Sequence, residues 1–178
     1  MSIATATKEA SGAAATVSRD GGKFLTFSLG REEYGLEIIK VREIIRYVDV
    51  TPVPRVPNYV DGVINLRGQV IPVINLRRKF GMEDGERTDE TCIIVVDVHT
   101  DGRRINTGIV VDRVNEVVLI AAEQIDAPPS FDSSVSTQFM LGIGKVGKTM
   151  KILLSIDEVL TTDDLTGLAT MQKQVITE

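Results

Sequence analysis

Two stretches of the chain are written twice in the same order, and this limits the fold more than any other feature of the sequence. Gly35-Leu-Glu-Ile-Ile-Lys-Val-Arg-Glu-Ile-Ile45 is matched by Gly108-Ile-Val-Val-Asp-Arg-Val-Asn-Glu-Val-Val118, at a spacing of 73 residues (108 − 35). In each, a glycine is followed six residues on by valine, then by glutamate and two β-branched residues. Further along, Gly62, Val73, Ile74, Asn75 and Phe80 align with Gly142, Leu153, Leu154, Ser155 and Leu160, now 80 residues apart (142 − 62). The added residues belong in the loop around 121–134. The reading is a duplicated small β-barrel of about five strands, in two packed copies. Units this small bury little apolar surface alone, so the packing between them should carry much of the stability.

The clearest single element is the segment Gly62 to Asn75, two apolar arms around Arg67-Gly68. It reads as a β-hairpin, because glycine accepts the positive φ of a tight turn and β-branched residues suit pleated arms. A two-residue loop pairs Ile64 with Ile71 and Leu66 with Gln69. Val63, Asn65, Val70, Pro72 and Ile74 then share the other face. Pro72 has no N–H to give a ladder, so its nitrogen should face an edge or a bulge. Arg67 is the oddity, one permanent charge at the tip of a hydrophobic hairpin.

Around these elements the rest of the chain falls into place. Residues 1–20 are small and polar without periodicity and read as a disordered tail. Residues 23–29 and 34–38 read as strands. Val41, Ile44 and Ile45 stand at helical spacing, which predicts a helical turn or two before a strand through Tyr47-Val48. Pro52, Pro54 and Pro57 force an extended loop. Asn75 caps a short helix that Gly81 ends. The charged segment 82–90 is the best internal boundary, giving a first barrel over about 21–85 and a second over about 86–160, with strands free to cross between them. Strands follow at 91–98, 105–111 and 114–120, then a loop over 121–134 and a hairpin over 138–156. Ser155 with Glu158 forms a capping-box signature for a short helix to Leu160. Leu165, Leu168 and Met171 predict one more helix in the C-terminal segment 161–178.

The net charge of −5 argues against a nucleic-acid partner, and 4% aromatics with no Trp leave little for base stacking. No apolar run approaches a membrane span, the N-terminus has no signal-peptide pattern, and the single Cys92 fits a reducing cytoplasm. Only one motif suggests catalysis. Gly142-Ile-Gly-Lys-Val-Gly147-Lys148-Thr149 satisfies the phosphate-loop string G-x-x-x-x-G-K-[ST]. That loop works by aiming a helix N-terminus at phosphate. Here a strand-like run follows Thr149, and the repeat makes Gly147-Lys148 the second copy's turn. Nucleotide binding is therefore the alternative reading, and a non-enzymatic one leads. His99 is the only histidine, beside the Asp101-Gly102 turn, and reads as a solvated loop residue; Cys92 reads as a buried thiol. Glu43 and Glu116 occupy equivalent places in the repeat. Glu43 can pair with Arg67, although a plain surface ion pair accounts for both. No cofactor and no metal site are expected.

With these residues laid out, the chain resembles the CheW family of bacterial chemotaxis coupling proteins. The segments that carry the resemblance are Glu33–Ile44, Gly62-Val-Ile-Asn-Leu-Arg-Gly68, Val70–Phe80, Gly108-Ile-Val-Val-Asp112-Arg-Val114 and Glu123-Gln-Ile125. The resemblance spans about 23–160. It implies a mainly β fold of two packed SH3-like five-stranded barrels with a few short helices, and no catalytic activity. It further implies an adaptor that links the histidine kinase CheA, through the kinase's regulatory domain, to the cytoplasmic tips of methyl-accepting chemoreceptors. The chain would be cytoplasmic and recruited to membrane receptor arrays, without membrane insertion. Carried over by position, the receptor groove would involve Val41, Glu43, Gly62, Arg67, Thr91 and Val114. A kinase-facing surface would involve Phe131 and Asp126. Lys148-Thr149 departs from the family's usual run.

Overall fold

The computed structural model describes residues 21–100, 102–128 and 139–160. The tail 1–20, the proposed helix around Leu165–Met171 and Phe131 lie outside these. The strands are β1 (Gly21–Leu29), β2 (Glu32–Glu37), β3 (Val41–Arg46), β4 (Val60–Leu66), β5 (Gln69–Asn75), β6 (Cys92–Thr100), β7 (Arg103–Val111), β8 (Arg113–Ala121), β9 (Ile125–Asp126), β10 (Met140–Val146) and β11 (Thr149–Leu154). Two short helices, α1 (Leu76–Lys79) and α2 (Ile156–Val159), follow β5 and β11. The fold is mainly β, in two curled sheets of the SH3-like kind. One has the order β8-β1-β2-β11-β10-β9 and the other β3-β6-β7-β5-β4.

The sheets are not the halves of the chain. β1 and β2 lie with β8–β11, whereas β6 and β7 lie with β3–β5. The chain crosses from the first sheet to the second at the 3₁₀ turn Ile38–Lys40, and returns at Asp112 between β7 and β8.

The repeat is visible in the register itself. β11 runs parallel to β2 with Leu153 opposite Gly35, and β5 runs parallel to β7 with Val73 opposite Gly108. These are the residues the sequence aligned. Two irregularities recur as well: β4–β5 slips between Val60 and Gly62 as β10–β11 slips between Met140 and Gly142, and both β3 and β8 carry a bulge in their ladders. At the slip the first strand of the hairpin presses on the segment beside it. A Cβ on Gly62, which has φ 143°, would stand 2.0 Å from the Thr51 carbonyl oxygen, and one on Gly142 would stand 2.6 Å from the Asp126 oxygen. Only glycine fits such an approach.

Apolar burial divides unequally. Among the described residues, a large core of 19 buried residues lies between the sheets, including Phe27, Leu36, Ile74, Ile94, Ile109, Leu154 and Leu160. The smaller cores inside each curled sheet hold six residues around Ile71 and Ile93, and three around Phe24 and Leu153. The sheets are thus held mainly by what they share. A row of rings, Phe27–Tyr34–Phe80–Phe139, runs through this shared core with centroids 5.8–5.9 Å apart.

Three local expectations are corrected. Residues 41–46 form the strand β3 instead of a helical turn, and 47–48 belong to a loop. Ser155 precedes α2, but its hydroxyl makes no cap bond; its carbonyl accepts the Glu158 and Val159 N–H groups instead. Pro72 lies in β5, an inner strand. Val63 opposite it exchanges both backbone bonds with Thr51, and the parallel ladder to β7 starts only at Val73. The missing N–H therefore falls where the ladder to β7 has not yet begun.

Candidate functional site

The hairpin β4–β5 forms with Ile64 opposite Ile71 and Leu66 opposite Gln69. Both turn residues have positive φ, 53° at Arg67 and 87° at Gly68, the geometry of the turn that suits the twist of hairpin strands. A side chain in this left-handed region is strained, and the surroundings must hold it. Two contacts do so. The Asn65 Oδ1 accepts the Gly68 N–H at 2.9 Å, and Arg67 donates from both terminal nitrogens to both oxygens of Glu43, at 2.6 and 2.8 Å. The fork-to-fork geometry fixes the guanidinium plane. Arg67 remains 72% exposed while Glu43 is 25% exposed. The two hydrogen bonds from Arg67 hold the Glu43 carboxyl below its ordinary value.

Val41 and Val114 are repeat mates, each near the start of the strand that follows a crossing between sheets. Both are half-buried against the rim of the shared core. A chain of contacts links them to the Arg67 end. Glu43 lies on β3, where Arg46 pairs with Cys92 of β6. The Cys92 thiol receives the Val114 N–H, and burial pushes it above its ordinary value. Cys92 is half-buried, not fully buried as the sequence suggests, and donates to the Glu90 carbonyl at 3.1 Å. Ile44, 42% exposed, adds apolar surface on the same strand.

Gly62 and Thr91 are placed differently. Gly62 is buried with its backbone against Thr51. Thr91 is 6% exposed; its hydroxyl accepts the Thr88 N–H at 2.9 Å and its carbonyl accepts the Tyr47 N–H. Neither offers a side chain to a partner. Both shape the loops beneath the exposed residues. Asp126 lies on β9, exposed, paired with Lys145 at 3.1 Å.

The phosphate-loop string is a hairpin. β10 ends at Val146, Gly147-Lys148 makes the turn with Gly147 at φ 61°, and β11 starts at Thr149. With a strand where the phosphate-binding helix would begin, the string lacks the N–H groups that would hold phosphate. His99 stands on β6, not in a loop; its Nε2 accepts the Arg104 Nε–H at 3.2 Å. Among the described residues no group of three or more His, Cys, Asp or Glu is placed to hold a metal ion. No helix among them is long and apolar enough to cross a membrane.

Sequence reasoning missed the cluster over segment 82–90. A cavity of about 440 Å³ is lined there by Arg77, Arg78, Arg87, Thr91 and Asp112 among others. Arg87 stacks on Tyr47 at 4.0 Å, and Arg78 holds Asp84 through two bonds of 2.8 and 2.9 Å. The run Arg77-Arg78 beside Asp84 and Arg87 was the available signal.

A family model described as the CheW-like domain matches residues 23–164. The chain belongs to the CheW-like family. It is 40% identical over 156 residues to the chemotaxis protein CheW of Klebsiella aerogenes, covering 85% of this chain and 92% of that protein. It is 37% identical over 141 residues to CheW of Helicobacter pylori, covering 79% and 82%. Among solved structures, the scaffolding protein TtCheW of Thermoanaerobacter tengcongensis superposes with a TM-score of 0.71 at 34% identity, over 81% of this chain and 95% of that one. The CheW-like chain is a chemotaxis adaptor and not an enzyme.

Proposed function

We propose that this adaptor binds the helical cytoplasmic tip of a chemoreceptor along the surface running from Arg67 and Glu43 past Val41 and Ile44 to Val114, and couples it to the histidine kinase CheA. One observation carries the reading. An exposed arginine is held in a strained backbone conformation and oriented by a two-pronged carboxylate bond, in one half of a duplicated fold only. Strain of this kind persists where the surroundings over-determine it, and it clusters at sites that bind. Val41, Ile44 and Val114 offer apolar anchors of the sort an amphipathic helix seats against. Arg67 either keeps Glu43 or exchanges it for a receptor carboxylate. Gly62 and Thr91 act from beneath, through the backbone.

The kinase's regulatory domain engages a separate surface around Asp126 and Phe131. Asp126 supports this by its exposure on the short β9. The adaptor works on the cytoplasmic side of the receptor array.

Capture of purified chain by a receptor cytoplasmic fragment tests the groove. Arg67→Ala and Val41→Asp each lower capture by about 30-fold, a hot-spot-sized loss, with circular dichroism unchanged. Undiminished capture in both variants removes the groove from this surface. Asp126→Arg should lower capture by the kinase's regulatory domain and leave receptor capture unaltered.

A further inference from the structure

The chain passes between the sheets twice, and each crossing is pinned by an ion pair to a helix, with acid and base exchanged and with the crossing residues, Asp112 and Lys40, one place apart in the repeat. At the return crossing, Asp112 accepts from Arg77 of α1 at 2.9 and 2.5 Å, and from the Gly30 N–H at 2.7 Å. Its own N–H donates to the Ser28 carbonyl. At the outward crossing, Asp157 of α2 accepts from Lys40 at 2.9 Å and from the His99 N–H at 3.1 Å. The repeat makes Arg77 and Asp157 equivalent, 80 residues apart (157 − 77). The registers make Gly30 and His99 equivalent too: each lies two residues past the mates Ser28 and Asp97, which pair with the mates Glu33 and Asn106. Each clasp therefore ties three things: the helix after one sheet, the equivalent hairpin of the other sheet (β1–β2 or β6–β7), and the crossing between them. In one the helix supplies the base, in the other the acid.

Val41 stands one residue after Lys40, and Val114 two residues after Asp112. We infer that the two clasps are the positioning device of the receptor surface: Arg77–Asp112 and Asp157–Lys40 set the separation of Val114 and Val41, although none of the four touches the partner. The functional half of this inference rests on the receptor-groove reading above. Gly85 supplies an independent handle. A Cβ there would meet the Arg77 guanidinium at 2.6 Å, the far end of a flexible side chain, so Gly85→Ala displaces Arg77 without removing a charge.

The experiment uses the full chain with Cys92→Ser and spin labels at Leu119→Cys and Arg46→Cys, an exposed pair of repeat mates on β8 and β3. Electron–electron distance distributions are measured for Arg77→Met, Gly85→Ala and the exchange of Arg77→Asp with Asp112→Arg, which copies the polarity of the other clasp. Receptor-fragment affinity is measured on the unlabelled variants. Arg77→Met and Gly85→Ala should broaden the distribution and weaken binding about 3- to 10-fold, the scale of coupling through indirect contacts. The exchanged pair should restore both. Should Arg77→Met not fold, Gly85→Ala carries the test alone. An unchanged distribution in Gly85→Ala overturns the clasp, whatever binding does. A broadened distribution with unaltered affinity overturns the positioning role, and Arg67→Ala then judges the groove separately.

Discussion

The hairpins β4–β5 and β10–β11 were built to one plan and finished differently. Each slips register at a glycine, runs its second strand parallel to a partner hairpin, and ends in a four-residue helix. Their tips part company. The first puts Arg67 into the left-handed region and binds it to Glu43; the second puts Gly147 at the same place, while Glu116, the mate of Glu43, is exposed. The shared features are those the shared core demands. The unshared one serves no packing need, since the second hairpin forms without it. A duplicated scaffold thus separates, by internal control, what folding requires from what it does not.

That separation can be broken or sharpened by substitution. The largest effect is expected at the slip glycines. Gly62→Ala meets a backbone carbonyl and a positive φ together, and should lower unfolding free energy by about 3 kcal/mol or more; Gly142→Ala, without the positive φ, should lose about 1–2 kcal/mol. Equal losses in denaturant titrations would contradict the view that φ sets the difference. Next comes Asp112→Asn. Burial raises the Asp112 carboxyl, but the Arg77 and Gly30 bonds outweigh it and leave it below 3.8, the ordinary value. A lowered carboxylate contributes stability that is present above its unfolded value and lost as pH falls through the folded one. Allowing for solvent screening, the deficit of the variant should be about 1 kcal/mol near pH 7. It should shrink as pH falls below 3.8, and a deficit constant with pH would exclude the ion pair as its source. The smallest effect on stability is expected from Arg67→Gly. It relieves the left-handed strain while losing an exposed pair, so its thermal midpoint should stay near wild type, whereas Arg67→Val, β-branched in the same conformation, should fall clearly below both. Receptor capture should drop alike in the two.

How far the sequence revealed this molecule depends on which signal a residue carried. The repeat was legible because mates make the same pairing in both copies: Gly35 stands opposite Leu153 as its mate Gly108 stands opposite Val73. The Arg67 hairpin and the Asn75 cap were legible because turn and cap chemistry is local; the Asn75 Oδ1 does accept the Arg78 N–H. Strand β3 was not. A bulge between Val41 and Glu43 lets Val41 and Ile44 face the same way, opposite Val96 and Ile94. Apolar residues three apart then imitate a helix. The exchange of strands between the halves was also hidden, for pairing of β1 with β8 leaves no mark on either strand alone. Of the candidate site, the exposed members were legible as side chains. Gly62 and Thr91 were legible only as positions, because both are buried. The clasps escaped notice because exchanging acid for base erases the very identity by which a repeat is recognised.

The crossing of strands between sheets has a consequence for how the protein is made. The second sheet is contiguous in the chain, from Val41 to Val111, and is complete before β8 is synthesised. The hairpin β1–β2 is made first and finished last: Thr26 bonds to Glu116, 90 residues on, and Glu33 to Lys151, 118 residues on. On the ribosome, the N-terminal hairpin therefore waits with its apolar face uncovered until the last strands emerge. Vectorial synthesis makes the oldest strands the last to find their place.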